Sequence, residues 1–320
     1  MRCCIVVFVM FAHISSKSDE LSRAATQSWL WLAALGGAIA LFTLLGTWLG
    51  LRELGSGLLH YYQTCRGVLE SQQQFVSAVV STISLVAFVS TGIGILSCIA
   101  EMWSSRALVA RLRGVGLAHG PVLSRVALRL GLQHRVTRVE DHSAYALTAG
   151  FLHPQIFVSS GLVDLLEEDE VEAVLCHEFC HLLQHDPLRR LIGRALRRAL
   201  FFLPVAADLW ARHLTAAELA ADGRVVAAQG RDSLAGALLK IIDSEPQLGS
   251  LASEVGVNSI LDLRVAQLLD PQAHLALPHA RRMHVAASTI MAALVLGVIP
   301  IHTPPSFLDI VAHAGLACTL

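Results

Sequence analysis

The sequence predicts a mainly α membrane protein, with transmembrane helices and, in the middle of the chain, a polar α+β domain carrying a small β-hairpin or sheet. Three observations carry this expectation. Of 320 residues 54% are hydrophobic and 15% charged, against about 45–50% and about 25% in an ordinary soluble domain. The apolar excess is concentrated in long uncharged runs towards the two ends of the chain, and between residues 101 and 284 the composition returns to ordinary polarity. Acidic and basic residues nearly cancel, 25 against 24, so the chain has neither the charge of a disordered protein nor the basic surplus of a direct nucleic-acid binder.

The runs define the predicted spans. Residues 29–50, WLWLAALGGAIALFTLLGTWLG, carry no charge and have tryptophans near both ends, where an aromatic ring sits at headgroup level. Residues 75–100 form a second uncharged run, with Ser77, Ser81, Ser84, Ser90, Gly92 and Gly94 supplying the small-residue faces on which membrane helices approach each other. Residues 285–301 are a third, of about minimum spanning length. The apolar stretch 3–12 is shorter, and reads as a truncated span, an interfacial helix or, least well, a signal-peptide core. An N-terminal segment 1–28, which contains that stretch, and a 302–320 tail complete the layout.

Arginine placement sets the orientation. Arg106, Arg111, Arg113, Arg125, Arg129, Arg135 and Arg138 crowd the stretch after the second run, and Arg281 and Arg282 precede the third. Residues 101–284 should therefore face the cytoplasm, as should 14–28, with 51–74 outside. The expected location is the inner membrane, multi-pass.

Seven cysteines, an odd and scattered number, argue against a disulfide framework. Cys176 and Cys180 flank the main motif but read as small buried thiols on a packed helix.

That motif is His177-Glu178-Phe179-Cys180-His181. Glu167, Glu168, Asp169 and Glu170 place negative charge on the first turn of a helix continued by Val171, Val174, Leu175, Phe179 and Leu182, and Asp186-Pro187 ends or kinks it. His177 and His181 then share one helix face, where two imidazoles can grip one Zn²⁺, with Glu178 placed to reach a water there. A catalytic zinc needs a third protein ligand. His185 fails, since eight residues of helix separate it from His177 by about 12 Å and no glycine turn brings it back. Residues 214–229, LTAAELAADGRVVAAQ, offer Glu218 and Asp222 one turn apart. Glu218 can complete a His₂Glu set, and Asp222 can orient a ligating imidazole. Alanines around Glu218 permit close packing on the first helix. Two solvated acids on an Ala-rich helix are the alternative, which loses weight 37 residues (218 minus 181) beyond the first motif.

The run AYALTAGFLHPQIFVSSGLVDLLEEDEVEAVLCHEFCHLLQHDPLRR, followed by AAELAAD, resembles the integral-membrane gluzincin metallopeptidases. It is most similar to the BlaR/MecR-type peptidase domain, and more distantly to the HtpX and CAAX prenyl protease type. The resemblance covers residues 143–240. It implies a zincin-like α+β metallopeptidase domain holding one Zn²⁺ on His177, His181 and Glu218, with Glu178 as general base and Asp222 behind the ligands. It also implies a protein or peptide substrate, such as a transcriptional repressor or a membrane protein. The chain departs from the BlaR type in one respect: residues Ile14 and Ala237 stand three before its two lysines, so it contains no Ser-x-x-Lys, and the stretch after residue 301 is too short for a penicillin-binding sensor. HtpX-like quality control of membrane proteins and a non-catalytic signalling module are the alternatives.

Three further expectations concern the surroundings of the site. Residues 144–148 and 155–159 read as a hairpin before the active-site helix, either structural or offering an edge to an extended peptide. Residues 188–210, rich in Arg and broken by Pro204, read as a helix at the inner membrane surface or a linker over the site. His213, Arg224 and Tyr145 are open candidates for stabilising the charge that develops on the substrate.

Overall fold

The computed structural model describes residues 16–60, 70–244, 257–270 and 276–298. The stretches 3–12 and 302–320 lie outside the described residues, as do 299–301 of the third predicted span.

Two helices of 45 residues each open the fold, α1 (Ser16–His60) and α2 (Glu70–Gly114). At 1.5 Å per residue each is more than twice the thickness of a bilayer's hydrocarbon core. Among the described residues, the stretches Lys17–Leu41 and Leu85–Gly114 of these helices are long and apolar enough to cross a membrane. They overlap the predicted 29–50 and 75–100. Trp31, Leu41, Phe88, Leu96 and Trp103 turn outward and are each more than half exposed, as lipid-facing side chains should be. Residues 285–298 of the third predicted span lie in a 17-residue helix, Arg282–Val298, whose Met283 and Ile290 also face outward, but this helix is not one of the two that are long and apolar enough to cross a membrane among the described residues.

The region between them is an α+β unit. It begins with β1 (Gly116–Leu117), α3 (Pro121–Leu130), β2 (Val136–Val139), β3 (Ala146–Ala149) and β4 (Gln155–Ser159). The sheet order is β1-β2-β4-β3, with β2 parallel to β4 and the other pairs antiparallel. The predicted hairpin is therefore the β3/β4 half of a larger sheet, and β3 is its edge. Local chemistry fixes the boundaries. Pro121 opens α3 with the φ a first helical turn requires, and Gly131, at φ 69, closes it in the left-handed region. Ser159 ends β4, and its hydroxyl accepts from the Leu162 N–H to cap α4 (Ser160–Leu165).

The helix carrying the main motif is α5 (Glu168–Leu183). Glu167 and Glu170 form a reciprocal capping box at its start, where three acidic residues of the first turn also complement the helix dipole. Val171 and Leu175 on α5, Leu123 and Val126 on α3, and Ile156 and Val158 on β4 make the main core, all essentially inaccessible to solvent. The chain then turns at His185, a non-glycine residue at φ 54, into α6 (Asp186–Ala199). The remaining helices are α7 (Pro204–Gln229), α8 (Asp232–Ser244), α9 (Val257–Leu269) and α10 (Arg282–Val298).

The expected 188–210 element is split. Residues up to 199 belong to α6, and Pro204 starts α7 at a position where its missing N–H costs nothing. The apolar face of α6 meets protein, since α6 packs along α2 and also touches α1. Leu196 abuts Gly36, Ala199 abuts Gly94, and the buried Ser90 hydroxyl donates to the Ala199 carbonyl at 2.6 Å. That bond satisfies a helix-end carbonyl in apolar surroundings, where leaving it unpaired is costly. In turn α1 runs along α7, so each long apolar helix is packed against an element that bears part of the site.

Candidate metal centre

α5 presents His177 and His181 on one face, their rings edge to face with centroids 4.8 Å apart. The two Nε2 atoms stand 3.1 Å from each other. α7 crosses opposite, where Ala216, Ala217, Ala220 and Ala221 are buried and let the backbone approach. Glu218 thereby brings Oε2 to 3.3 Å from His177 Nε2 and Oε1 to 3.5 Å from His181 Nε2. Each imidazole is held from behind by a carboxylate. Asp222 Oδ1 lies 2.8 Å from His177 Nδ1, and Asp186 Oδ2 lies 2.6 Å from His181 Nδ1. Nδ1 of each ring faces its carboxylate, in a hydrogen bond at His181 and in a close ion-pair contact at His177, so Nε2 is the nitrogen turned to the centre, the arrangement by which outer carboxylates fix a ligand's tautomer.

The three donors fit a small divalent ion. Ligands bound tetrahedrally at about 2.0–2.1 Å stand roughly 3.3 Å from one another; here the two Nε2 atoms are 3.1 Å apart, each imidazole has a different Glu218 oxygen at 3.3 or 3.5 Å, and one donor atom from each residue can be chosen with all three within 4.8 Å. Charge leads to the same place. Glu178, Asp186, Glu218 and Asp222 bring four formal negative charges to the group, against two from the guanidiniums of Arg190 and Arg264, with Arg189 at the outer edge 4.0 Å from Asp186. Burial opposes charge on His181, yet Glu218 and Asp186 outweigh it and raise its pKa to about 10. His177 is also raised, Asp222 overcoming the effect of burial. Burial pushes the Glu218 carboxyl up, but His181, His177 and Arg190 draw it well below its ordinary range. A field that favours a proton on each imidazole favours a cation between them.

Glu178 sits beside this group. Thr148, on the edge strand β3, has its hydroxyl 2.8 Å from Glu178 Oε2 and 3.0 Å from the Glu178 carbonyl. The donor set opens into a cavity of about 510 Å³ between β3 and α8. Tyr145 and Thr148 lie on the sheet side, and Val174, Leu234, Leu238 and Ile241 make an apolar wall.

All five sequence-predicted site residues, His177, Glu178, His181, Glu218 and Asp222, thus converge. His185 is the exposed corner residue and stands apart from the donors, as its spacing implied. Cys176 and Cys180 are buried in the core, where desolvation pushes their thiols up to about 12 and about 11. Of the three candidates for stabilising substrate charge, Tyr145 lines the cavity while two point elsewhere. His213 donates from Nδ1 to the Ala25 carbonyl at 3.0 Å, and Arg224 bonds the Ser22 hydroxyl.

Four residues escaped sequence reasoning: Thr148, Asp186, Arg190 and Arg264. Arg190 Nη2 donates to Glu218 Oε1 at 2.5 Å. Arg264, from α9, grips both oxygens of the fully buried Asp222, Nε to Oδ2 at 2.7 Å and Nη2 to Oδ1 at 2.9 Å. Asp186 had a signal in its place five residues after His181. The arginines had none, being two among many.

Residues 121–242 match the model of Peptidase family M48. Over 111 residues the chain is 30% identical to proteins named Protease HtpX homolog from Nostoc sp. (strain PCC 7120) and from Trichormus variabilis, covering 32% of this chain and 38% of each relative. A protein of the same name from Sulfurovum sp. is 31% identical over 64 residues, 20% of this chain and 23% of the relative. The chain thus spans well under half the length of these curated relatives. The matched stretch contains strands β2, β3 and β4 and both helices that supply the donors, so residues 121–242 are similar to the metallopeptidase domain of Peptidase family M48, in a chain whose described residues include two helices apolar enough to cross a membrane.

Proposed function

We propose that the chain is a membrane-bound, zinc-dependent endopeptidase that hydrolyses peptide bonds of protein substrates. The observation that carries this reading is the convergence of two imidazoles and one carboxylate at mutual distances of 3.1–3.5 Å, each imidazole backed by a buried carboxylate.

His177, His181 and Glu218 would hold Zn²⁺, which when bound supplies Lewis acidity towards water and towards a peptide carbonyl. Glu178 takes a proton from the attacking water and later delivers it to the leaving amine. Thr148 holds Glu178 Oε2, which leaves Oε1 for the water. Asp222 and Asp186 keep each imidazole in the tautomer that ligates, and Arg264 keeps Asp222 charged and in place. The free edge of β3 can take a substrate segment as an added strand, giving main-chain recognition with broad sequence tolerance.

The domain layout that suits this chemistry has the site on the inner side of the cytoplasmic membrane, with 29–50, 75–100 and 285–301 spanning and 101–284 facing the cytoplasm. The arginine-rich stretches flanking the central region support that orientation. A repressor, as in BlaR/MecR-type proteolysis, and damaged membrane proteins, as in HtpX-type turnover, are both substrates such a site could take.

Metal analysis of the purified full chain tests the reading. The parent should bind one Zn²⁺ per chain, Glu218→Ala should lose it, and Glu178→Gln should keep it without cleaving. Zinc retained at parental affinity in Glu218→Ala defeats the ligand set. Comparing membrane proteomes with parent and Glu178→Gln enzyme then identifies the substrate class: one cleaved regulator or many damaged membrane proteins.

A further inference from the structure

Peptide hydrolysis needs a donor for the negative charge that develops on the scissile carbonyl oxygen, and such donors are among the largest contributors to catalysis. The polar side chains lining the cavity can be taken in turn. Thr148 is engaged with Glu178, and the Tyr145 hydroxyl is drawn to Asp141. The imidazoles are committed to carboxylates on one nitrogen and to the centre on the other. Arg264 spends its fork on Asp222, its side chain 18% exposed.

Arg190 differs. It projects from α6 one turn after Asp186, lines the cavity, and keeps 37% of its side chain exposed beside a donor set that is nearly buried. Of the five N–H groups of a guanidinium, one is used: among the described residues its side chain makes a single hydrogen bond, to Glu218 Oε1. The remaining donors belong to a cation anchored against a metal-facing carboxylate, at the open side of the cavity.

We propose that Arg190 is a catalytic residue that binds the scissile carbonyl oxygen as it becomes charged. This inference rests on the peptidase reading above. As the water oxygen bonds to the carbonyl carbon, its proton passes to Glu178 and the carbonyl π pair moves onto oxygen. Arg190 donates hydrogen bonds to that oxygen and transfers no proton. When the carbonyl re-forms, the C–N bond breaks and the amine leaves with the proton from Glu178, so that the acid and amine products account for the atoms of the added water. A guanidinium bond to a charged oxygen is much stronger than one to a neutral carbonyl, so the contact favours the transition state over the bound peptide.

The test uses the full chain in detergent or nanodiscs, loaded with Zn²⁺, as parent, Arg190→Met and Arg190→Lys. Four quantities are read: kcat and KM for a peptide, zinc affinity by chelator competition, affinity for a phosphonamidate peptide that mimics the tetrahedral anion, and affinity for the intact peptide in a Glu178→Gln background. Arg190→Met should lower kcat and phosphonamidate affinity by about 10²–10³-fold, with KM, peptide affinity and zinc affinity close to parental. Arg190→Lys, which keeps the charge but not the fork, should recover part of the loss. The inference is overturned if phosphonamidate affinity is unchanged, if it falls only as far as peptide affinity does, or if the loss is matched by loss of zinc, the sign that Arg190 merely positions Glu218. A zinc-loaded parent that neither cleaves peptides nor binds the phosphonamidate would sink the peptidase reading itself, an outcome visible without any variant at position 190.

Discussion

Asp186 Oδ2 lies 2.6 Å from His181 Nδ1, although the two residues belong to different helices divided by the left-handed corner at His185. The corner is what makes the contact: a continuous helix would place a residue five positions on well round the cylinder from His181. Asp186 is almost fully buried, and despite that burial its carboxyl is held below its ordinary range by His181. Asp186→Asn keeps an acceptor for the imidazole N–H but loses the charge, and Asp186→Ala loses both. Zinc affinity measured by chelator competition should fall about tenfold in the first and nearer a hundredfold in the second. Equal, parental affinities in both variants would show that the contact does nothing for the metal.

Among the described residues, Arg264 on α9 is the one member of the site cluster contributed from beyond the family-matching stretch. Removing it strands Asp222, fully buried and gripped on both oxygens, with His177 as its remaining polar partner. Breaking such a pair by deleting one side costs about 3–5 kcal/mol. Arg264→Met should lower the free energy of unfolding by that order, read from the denaturant midpoint and slope, and weaken zinc binding, whereas Asp222→Asn combined with Arg264→Met should recover part of the stability, because no uncompensated charge remains. An Arg264→Met protein as stable as the parent would show that Asp222 does not need its fork.

How much of this was legible in the sequence depends on how local each feature is. His177, Glu178 and His181 lie within one helical turn and a fraction, and their spacing names the face they share. Glu218 and Asp222 are one turn apart on a second helix, and small neighbours announced the close packing. Strand β2 was missed because Val136–Val139 is four residues with Thr137 and Arg138 at its centre, and its partner in the parallel pairing is β4, some twenty residues on. For α6, periodicity announced an apolar face but carries no information on whether lipid or protein covers it; the small residues Gly36 and Gly94, on helices far away in sequence, decide that. Arg264 lies 42 residues from Asp222, within a segment whose own pattern is an ordinary helix. Nothing local distinguishes it from any other arginine.

Opposite the donors, Val174, Leu234, Leu238 and Ile241 present hydrocarbon to whatever fills the cavity. Leu238 and Ile241 retain some exposure, and lie one turn apart on α8. A peptide side chain seated there is selected by size and apolarity, and a pocket of this kind discriminates by about 1–3 kcal/mol. Truncation by Leu238→Ala should therefore reduce the preference for leucine over alanine at one substrate position by about tenfold in kcat/KM, while zinc content stays parental. Preference profiles measured on a peptide library check this, and an unchanged profile would place the substrate side chain elsewhere.

Gly193 decides how closely α6 and α7 approach. A Cβ added there would stand 2.1 Å from Cζ3 of Trp210, and two further atoms of the same ring lie within 2.9 Å. Alanine in place of glycine in a helix interior is worth about 1 kcal/mol in the helix's favour, but overpacking a buried contact costs about 1–3 kcal/mol. The indole is rigid and nearly buried, so it has no flexible tip to turn aside. The unfavourable effect should win, and Gly193→Ala should lower the denaturant midpoint. Gly36→Ala is the control: its Cβ would meet Leu196 Cδ2 at 2.3 Å, the end of a side chain that can change rotamer, and the loss should be smaller. Because α6 also carries Asp186, which backs the ligating His181, displacing it by a few tenths of an ångström at Gly193 should weaken zinc binding as well. A Gly193→Ala protein with raised stability and parental zinc affinity would mean that the helices have room to part, and that the site does not depend on their closeness.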